Sequence, residues 1–211
     1  MARVFILPED ESGRHTGRGE SFAGVLAYAL REAGPETCGG TENLKSDIGE
    51  AAPEMEHAVS AAGHRPGRRG PTTTRPVQHA ILGWHPADKA WLTREHVAAT
   101  VRAALAHMGL GEHQCVWVLH TDTDKPHVHL VINLVHPVTG LVARLGLLKK
   151  RMSEFCGDYE RRLGDVRCKR RGMPKAANEN RGRLGKWEWK RRERERERQP
   201  QKADKLPGLH L

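Results

Sequence analysis

The sequence predicts an α+β fold: an antiparallel β-sheet with helices packed mainly on one face. Segments with two-residue apolar alternation, which is typical of strands, recur among segments whose apolar residues have helical spacing. Two of the strand-like segments, residues 115–119 and 127–134, are separated only by turn-forming residues, and this favours a hairpin. The resulting order of strand, helix, strand, helix, strand, strand, helix is typical of such a sheet.

In the first part of the chain, residues 2–8 read as a short strand that a proline ends. Residues 22–30 carry apolar side chains at helical spacing, and a Gly-Pro pair closes this helix. Residues 36–75 are rich in Gly, Pro, Thr and charge and contain only a weak helical pattern, at 48–62. We therefore interpret residues 36–75 as a flexible insertion.

In the second part, residues 76–83 resume strand character. Thr93 is a suitable N-cap for a helix that Gly109 closes. The hairpin follows, and after it a basic helix at about 147–163. We expect one domain, residues 1–170, followed by a basic tail at 171–211 that is largely extended or helical.

Composition narrows the class of protein. The 211 residues suffice for one substantial core, and no apolar run approaches the length of a membrane span. The four cysteines are far apart and the N-terminus lacks the layout of a signal peptide, so we expect a cytoplasmic protein without membrane insertion. Residues 1–140 carry 13 basic and 16 acidic side chains, whereas residues 141–199 carry 20 and 9. This basic region predicts a polyanionic partner, most simply nucleic acid.

Three histidines in the predicted hairpin indicate a metal site. His127 and His129 are two residues apart on one strand, so their side chains leave the same face. The hairpin would bring His120 beside them and assemble three imidazoles, a suitable ligand set for a divalent metal. Asp122 is either an oriented partner of a ligand imidazole or a turn-former, and Asn133 continues the histidine face as a supporting residue.

The chain has only two tyrosines that could serve as a nucleophile, Tyr28 and Tyr159. Tyr28 falls outside the centre of the apolar stripe of its helix, so it is not an obvious core aromatic. Tyr159 is closer in sequence to the histidines but lies in a basic helix. Either one could instead be a half-buried tyrosine whose hydroxyl finds a hydrogen-bond partner.

The chain resembles the relaxase, or mobilisation nuclease, domain of conjugative plasmids, the class that includes the border-nicking endonuclease of tumour-inducing plasmids. Residues 19–31, Gly-Glu-Ser-Phe-Ala-Gly-Val-Leu-Ala-Tyr-Ala-Leu-Arg, resemble its first motif. Residues 77–110 resemble the second motif, and residues 120–133 resemble the third, the His-hydrophobic-His signature. The likeness covers roughly residues 1–170.

This resemblance implies site- and strand-specific DNA nicking and rejoining at a plasmid origin of transfer. It assigns a divalent ion (Mg²⁺, Mn²⁺ or similar) to His120, His127 and His129. It makes Tyr28 the nucleophile that forms a 5′-phosphotyrosine, with Asp122 a candidate for taking its proton. The partners would be single-stranded or supercoiled plasmid DNA, an accessory DNA-binding protein and the coupling protein of a secretion system. The resemblance also implies a bacterial cytoplasm, from which the protein could be translocated with the DNA during transfer.

Basic side chains of the C-terminal third are expected to hold the DNA backbone, among them Arg144, Lys149, Lys150 and Arg151. Two alternatives remain open. The same histidines could serve a nuclease that uses water as its nucleophile, or the chain could be a non-catalytic relaxase remnant that only binds DNA.

Overall fold

The computed structural model describes residues 2–3, 17–31, 38–64, 73–122, 125–146 and 148–164, without the side chains of Ala2, Arg3 and Lys149. All of them belong to one compact unit, Met1–Arg171. The predicted basic tail at 171–211 lies outside the described residues and stays a prediction.

An antiparallel sheet of six strands forms the centre of this unit, and it confirms the α+β class. The spatial order is β1-β4-β6-β5-β3, and β2 also pairs with β4. The longest strands, β4, β6 and β5, are therefore neighbours in the middle. The strands are β1 (Ala2–Arg3), β2 (Arg18–Gly19), β3 (Cys38–Glu42), β4 (Val77–Trp84), β5 (Cys115–His120) and β6 (His127–Asn133).

Helices cover both faces of the sheet, so the expectation that they lie mainly on one face was wrong. The first two helices pack on the face that holds Val116, Val118 and Val131, and the last two on the face that holds Trp117 and Leu130. In the sequence, the histidines of β6 indicated that one face of the sheet is exposed to solvent. The first two helices cover that face as well. The helices are α1 (Phe22–Arg31), α2 (Ala51–Gly63), α3 (Arg94–Met108) and α4 (Leu148–Arg162), with a 3₁₀ helix at Pro86–Trp91.

The interpretation of residues 36–75 as a flexible insertion is corrected for the described part, 38–64. Residues 38–42 form β3, which pairs with β5, and α2 buries Ala51 and Met55 in the core. The strand was missed because Gly39 and Gly40 gave it no apolar alternation. A Cβ on Gly40 would lie 2.6 Å from the Trp117 ring, so this close approach requires glycine.

The predicted boundaries of α3 are confirmed. The Thr93 hydroxyl accepts a hydrogen bond from the His96 N–H at 3.2 Å, which is N-cap geometry. Gly109 ends the helix with a φ of 75°, a conformation that glycine adopts without strain. Among the helices of the described ranges, none is long and apolar enough to cross a membrane.

Candidate metal centre

The register of the central hairpin brings the three predicted histidines together. His120 of β5 pairs directly with His127 of β6, and Val118 pairs with His129. Because directly opposed residues and residues two apart share a face, all three rings lie on the face that α1 covers. Their ring centroids are 4.6 to 5.1 Å apart. One nitrogen from each ring lies within 4.8 Å of the other two.

Each of the three rings has one nitrogen held by a protein group. His120 Nε2 lies 2.7 Å from the Ala29 carbonyl oxygen, and His127 Nδ1 lies 3.0 Å from that of Lys125. His129 Nδ1 lies 2.9 Å from His79 Nε2. Metal-binding histidines in proteins are oriented in this way, since a bond at one ring nitrogen fixes the lone pair of the other.

The side chain of His120 supplies a test of whether a metal fits. Its Nε2–H donates to a carbonyl, so its Nδ1 must carry the lone pair. That nitrogen is buried, and within the described part of the chain it has no hydrogen-bond partner. Buried polar atoms are rarely left unpaired, and neutral imidazole nitrogens are good ligands for divalent transition metals. The three histidines therefore fit a divalent ion.

Tyr28 lies beside these histidines although about ninety residues separate them in sequence. Its half-buried ring meets the rings of His129 and His79 edge to face, at centroid distances of 5.8 and 5.9 Å. The guanidinium carbon of Arg31 lies 5.8 Å from the centroid of the Tyr28 ring. Tyr28 is brought there because the Ala29 carbonyl, one residue further along α1, accepts the hydrogen bond from His120.

The other tyrosine, Tyr159, lies on the opposite side of the sheet and packs with the core under α3 and α4. Its hydroxyl oxygen lies 2.6 Å from His96 Nε2 and accepts a 3.4 Å hydrogen bond from Trp84 Nε1. These contacts tie α4 to α3 and β4. The sequence left both tyrosines open as a nucleophile, and only Tyr28 shares a face with the three histidines.

Asn133 is not near the histidines. It ends β6, about 20 Å along the strand from His127. Its side-chain amide donates to the Met55 carbonyl and to Gln114 Oε1, and its amide oxygen accepts from the Val135 N–H. The geometry therefore gives Asn133 a structural task at the far end of the sheet, where it ties β6 to α2.

Asp122 follows β5 by two residues and is exposed. Within the described ranges no hydrogen bond or ion pair holds its carboxylate, and it does not belong to the group of potential ligands. Its role as proton acceptor or as partner of a ligand stays a prediction.

The basic residues predicted to contact DNA lie away from the histidines. Arg151 donates to the Met108 carbonyl at 3.1 Å, which caps the C-terminal end of α3. Lys150 lies 3.7 Å from the Glu154 carboxylate, and Arg144 is exposed. This part of the fold adjoins the Asn133 end of β6, because Ala143 donates to the Leu134 carbonyl.

His79 is the site residue that sequence reasoning missed. It lies in β4, is only 6% exposed, and contacts both His129 and Tyr28. No local pattern marks it, because its importance depends on β4 pairing with β6. Without the strand order, His79 is one of two adjacent polar residues, with Gln78, in an otherwise apolar strand.

A comparison with protein families finds a match to the model described as "Relaxase: MobA/VirD2-like, nuclease domain" over residues 28–164. The matched segment begins at Tyr28 and includes all three histidines. No solved structure is similar enough to count as a match.

Curated relatives agree with the family match. Protein MobA of Acidithiobacillus ferrooxidans is 35% identical over 69 residues, which are 33% of this chain and 16% of that protein. A Protein TraI of Escherichia coli is 25% identical over 143 residues, 68% of this chain and 19% of that protein. The chain thus spans less than a fifth of the length of either relative. With the family model matched over more than half of its residues, this chain belongs to the relaxase family, in the MobA/VirD2-like nuclease domain class.

Proposed function

We propose that this chain nicks and rejoins one strand of plasmid DNA at an origin of transfer, with Tyr28 as the nucleophile. The observation that carries the proposal is the position of the Tyr28 ring, 5.8 Å from His129 on the face where three imidazoles converge. A tyrosine with only a packing role would be expected inside the core. Tyr28 is instead half-buried beside the three histidines.

In the proposed reaction the Tyr28 phenol oxygen attacks the scissile phosphorus in line. A bond forms between that oxygen and phosphorus, the bond from phosphorus to the 3′-oxygen breaks, and the products are a 5′-phosphotyrosine and a 3′-hydroxyl. The proton that Tyr28 loses balances the one that the 3′-oxygen gains. Because one ester replaces another, a 3′-hydroxyl can reverse the reaction and close the strand, whereas attack by water would end it.

A divalent ion held by His120, His127 and His129 would polarise the scissile phosphate and offset charge that develops on its oxygens. The protein's contribution is orientation. The carbonyl groups of Ala29 and Lys125 hold two of the rings, and α1 holds Tyr28 beside the third. Three nitrogen ligands favour a transition ion over Mg²⁺, whose usual ligands are oxygens.

The partners follow from the same proposal. The substrate would be single-stranded DNA or supercoiled plasmid DNA at the origin. An accessory DNA-binding protein and the coupling protein of a secretion system would join the larger assembly.

The test uses the two tyrosines as a matched pair. We expect that Tyr28→Phe abolishes the covalent protein–DNA adduct formed with Mn²⁺ on a supercoiled plasmid carrying the DNA that flanks this reading frame. Tyr159→Phe should retain the adduct, because its hydroxyl is bonded to His96 on the other side of the sheet. Denaturing gels of end-labelled DNA separate protein-linked strands from free ones.

The outcomes separate the alternatives. Nicking by the wild-type chain without a protein-linked product would indicate a nuclease that uses water. Binding of the plasmid without any nicking would indicate a non-catalytic DNA-binding protein. An adduct that survives Tyr28→Phe but not Tyr159→Phe would move the nucleophile to the other tyrosine.

A further inference from the structure

A fourth histidine, His79, stands next to the three that converge. Its Nε2 lies 2.9 Å from His129 Nδ1, and the two ring planes are within 14° of parallel. The His79 ring also meets the Tyr28 ring edge to face. We propose that His79 is a positioning residue, which fixes the tautomer and ring orientation of His129 and supports the Tyr28 ring from the side.

His129 differs from the other two histidines in the kind of group that holds its ring. His120 and His127 each use a backbone carbonyl as their hydrogen-bond partner. His129 lies inside β6, with β4 on one side and β5 on the other, so the carbonyl groups around it belong to the sheet. For His129 the partner is a side chain on the neighbouring strand β4, His79.

The register of β4 against β6 puts His79 within reach. His79 pairs with Val131 and Ile81 pairs with His129, so His79 is the diagonal neighbour of His129 on the same face. Diagonal neighbours in antiparallel sheets lie about 7 to 8 Å apart, which long or aromatic side chains can bridge. The hydrogen bond between the two rings is that bridge.

The direction of this hydrogen bond decides whether His129 can bind a metal through Nε2. If His129 Nδ1–H donates to the lone pair of His79 Nε2, then His129 Nε2 keeps its own lone pair for a metal. If the proton sits on His79 Nε2 instead, His129 Nε2 carries a hydrogen and cannot bind a metal. Our inference requires the first arrangement, and it rests on the metal site of the proposed function.

Two substitutions separate the hydrogen bond from the ring. His79→Phe keeps a flat ring but removes the acceptor, and we expect it to weaken Mn²⁺ binding by about 10- to 100-fold, the usual effect of losing the partner of a ligand histidine. His79→Gln offers an amide oxygen as acceptor and should recover most of the affinity. His113→Phe is the control, because His113 is also buried and hydrogen-bonded but lies at the Asn133 end of β6.

Isothermal titration of each variant with Mn²⁺ alone measures the affinity, and thermal melting without metal checks the fold. Unchanged affinity in His79→Phe, or equal losses in His79→Phe and His79→Gln, would overturn the inference while the metal site stands. Absence of Mn²⁺ binding by the wild-type chain would instead count against the metal site itself, and the inference would fall with it.

A measurement on the wild-type protein keeps the inference testable even if the variants do not fold. Long-range ¹H–¹⁵N spectra of the imidazoles in the metal-free protein report which nitrogen of His129 carries its proton. We expect the Nδ1–H tautomer. The Nε2–H tautomer would contradict the inference directly.

Discussion

At the scale of single residues, the three histidines differ in how deeply they are buried. His120 and His129 are 2% and 3% exposed, whereas His127 is only partly buried, beside the turn. His120 also ties β5 to α1 through its bond to the Ala29 carbonyl. Replacing His120 would disturb packing as well as ligation, so His127 is the residue at which ligation can be tested most cleanly.

We predict that His127→Ala removes metal binding and leaves the metal-free fold intact. Metal at about a hundred times its Kd stabilises a folded protein by about 2.7 kcal/mol, so the wild-type chain should melt at a higher temperature with Mn²⁺ than with EDTA. The variant should show no such rise. His57→Ala, at an exposed histidine of α2, serves as control, and a retained rise in His127→Ala would contradict the assignment.

A second residue-scale feature is His113, at the other end of the hairpin. Burial lowers its pKa, while its bond to the Asn133 carbonyl works in the opposite direction. A histidine whose pKa is lowered in the folded state favours folding at a pH above its unfolded value of about 6.5 and loses that contribution as the pH falls. His113, like Asn133, therefore contributes to the stability of the fold.

At the scale of elements, β3 shows how a strand can form without apolar alternation. A Cβ on Gly39 would lie 2.8 Å from both the Trp117 carbonyl oxygen and the Ile48 side chain. The carbonyl is part of β5 and cannot move without breaking the ladder. Besides its backbone hydrogen bonds to β5, β3 therefore depends on the absence of a side chain at Gly39, which lets the two strands approach.

We predict that Gly39→Ala lowers the free energy of unfolding by about 1 to 3 kcal/mol, the usual range for overpacking. Gly24→Ala is the matched control, because its Cβ would meet only Ser21, at 3.5 Å or more, on the exposed side of α1. Alanine there should be neutral or stabilise the helix by up to about 1 kcal/mol. Urea unfolding of both variants measures the difference, and equal effects would show that the space at Gly39 is not what limits β3.

At the scale of the whole molecule, basic side chains occur at both ends of the sheet. Arg31 and Lys125 lie near the histidines, whereas Arg144, Lys150 and Arg151 lie toward the other end. In the proposed reaction, a DNA strand cleaved at Tyr28 would pass the first end. The second end could contact only DNA that continues across the fold.

We predict that Lys125→Ala weakens binding of a single-stranded oligonucleotide more than Lys150→Ala does. Loss of one phosphate contact should also reduce the slope of log affinity against log salt by about 0.7. Fluorescence anisotropy at several salt concentrations measures both quantities. A larger effect at Lys150 would place the main DNA contacts in the basic C-terminal third, as the sequence suggested.

The whole molecule also shows which features a sequence can predict. The hairpin and its three histidines were predictable because strand alternation and turn formation are local properties. The contact between His79 and His129, and the position of Tyr28, depend on which strand and helix lie beside β6, and no local pattern encodes that. The helices on both faces were missed because His127 and His129 resembled the solvent-facing residues of a half-exposed strand.

The hydrogen bond from His120 to the Ala29 carbonyl has one more consequence. In the proposed reaction the 5′ end of the cleaved strand is covalently bound to Tyr28, the residue before Ala29. The cleaved phosphodiester lies next to His120. In that reaction the bond would hold the captured 5′ end close to the site of cleavage until a 3′ end arrives. Because the same bond also positions Tyr28 and His120 for cutting, a variant that loosened α1 without replacing Tyr28 would slow resealing as well as cutting.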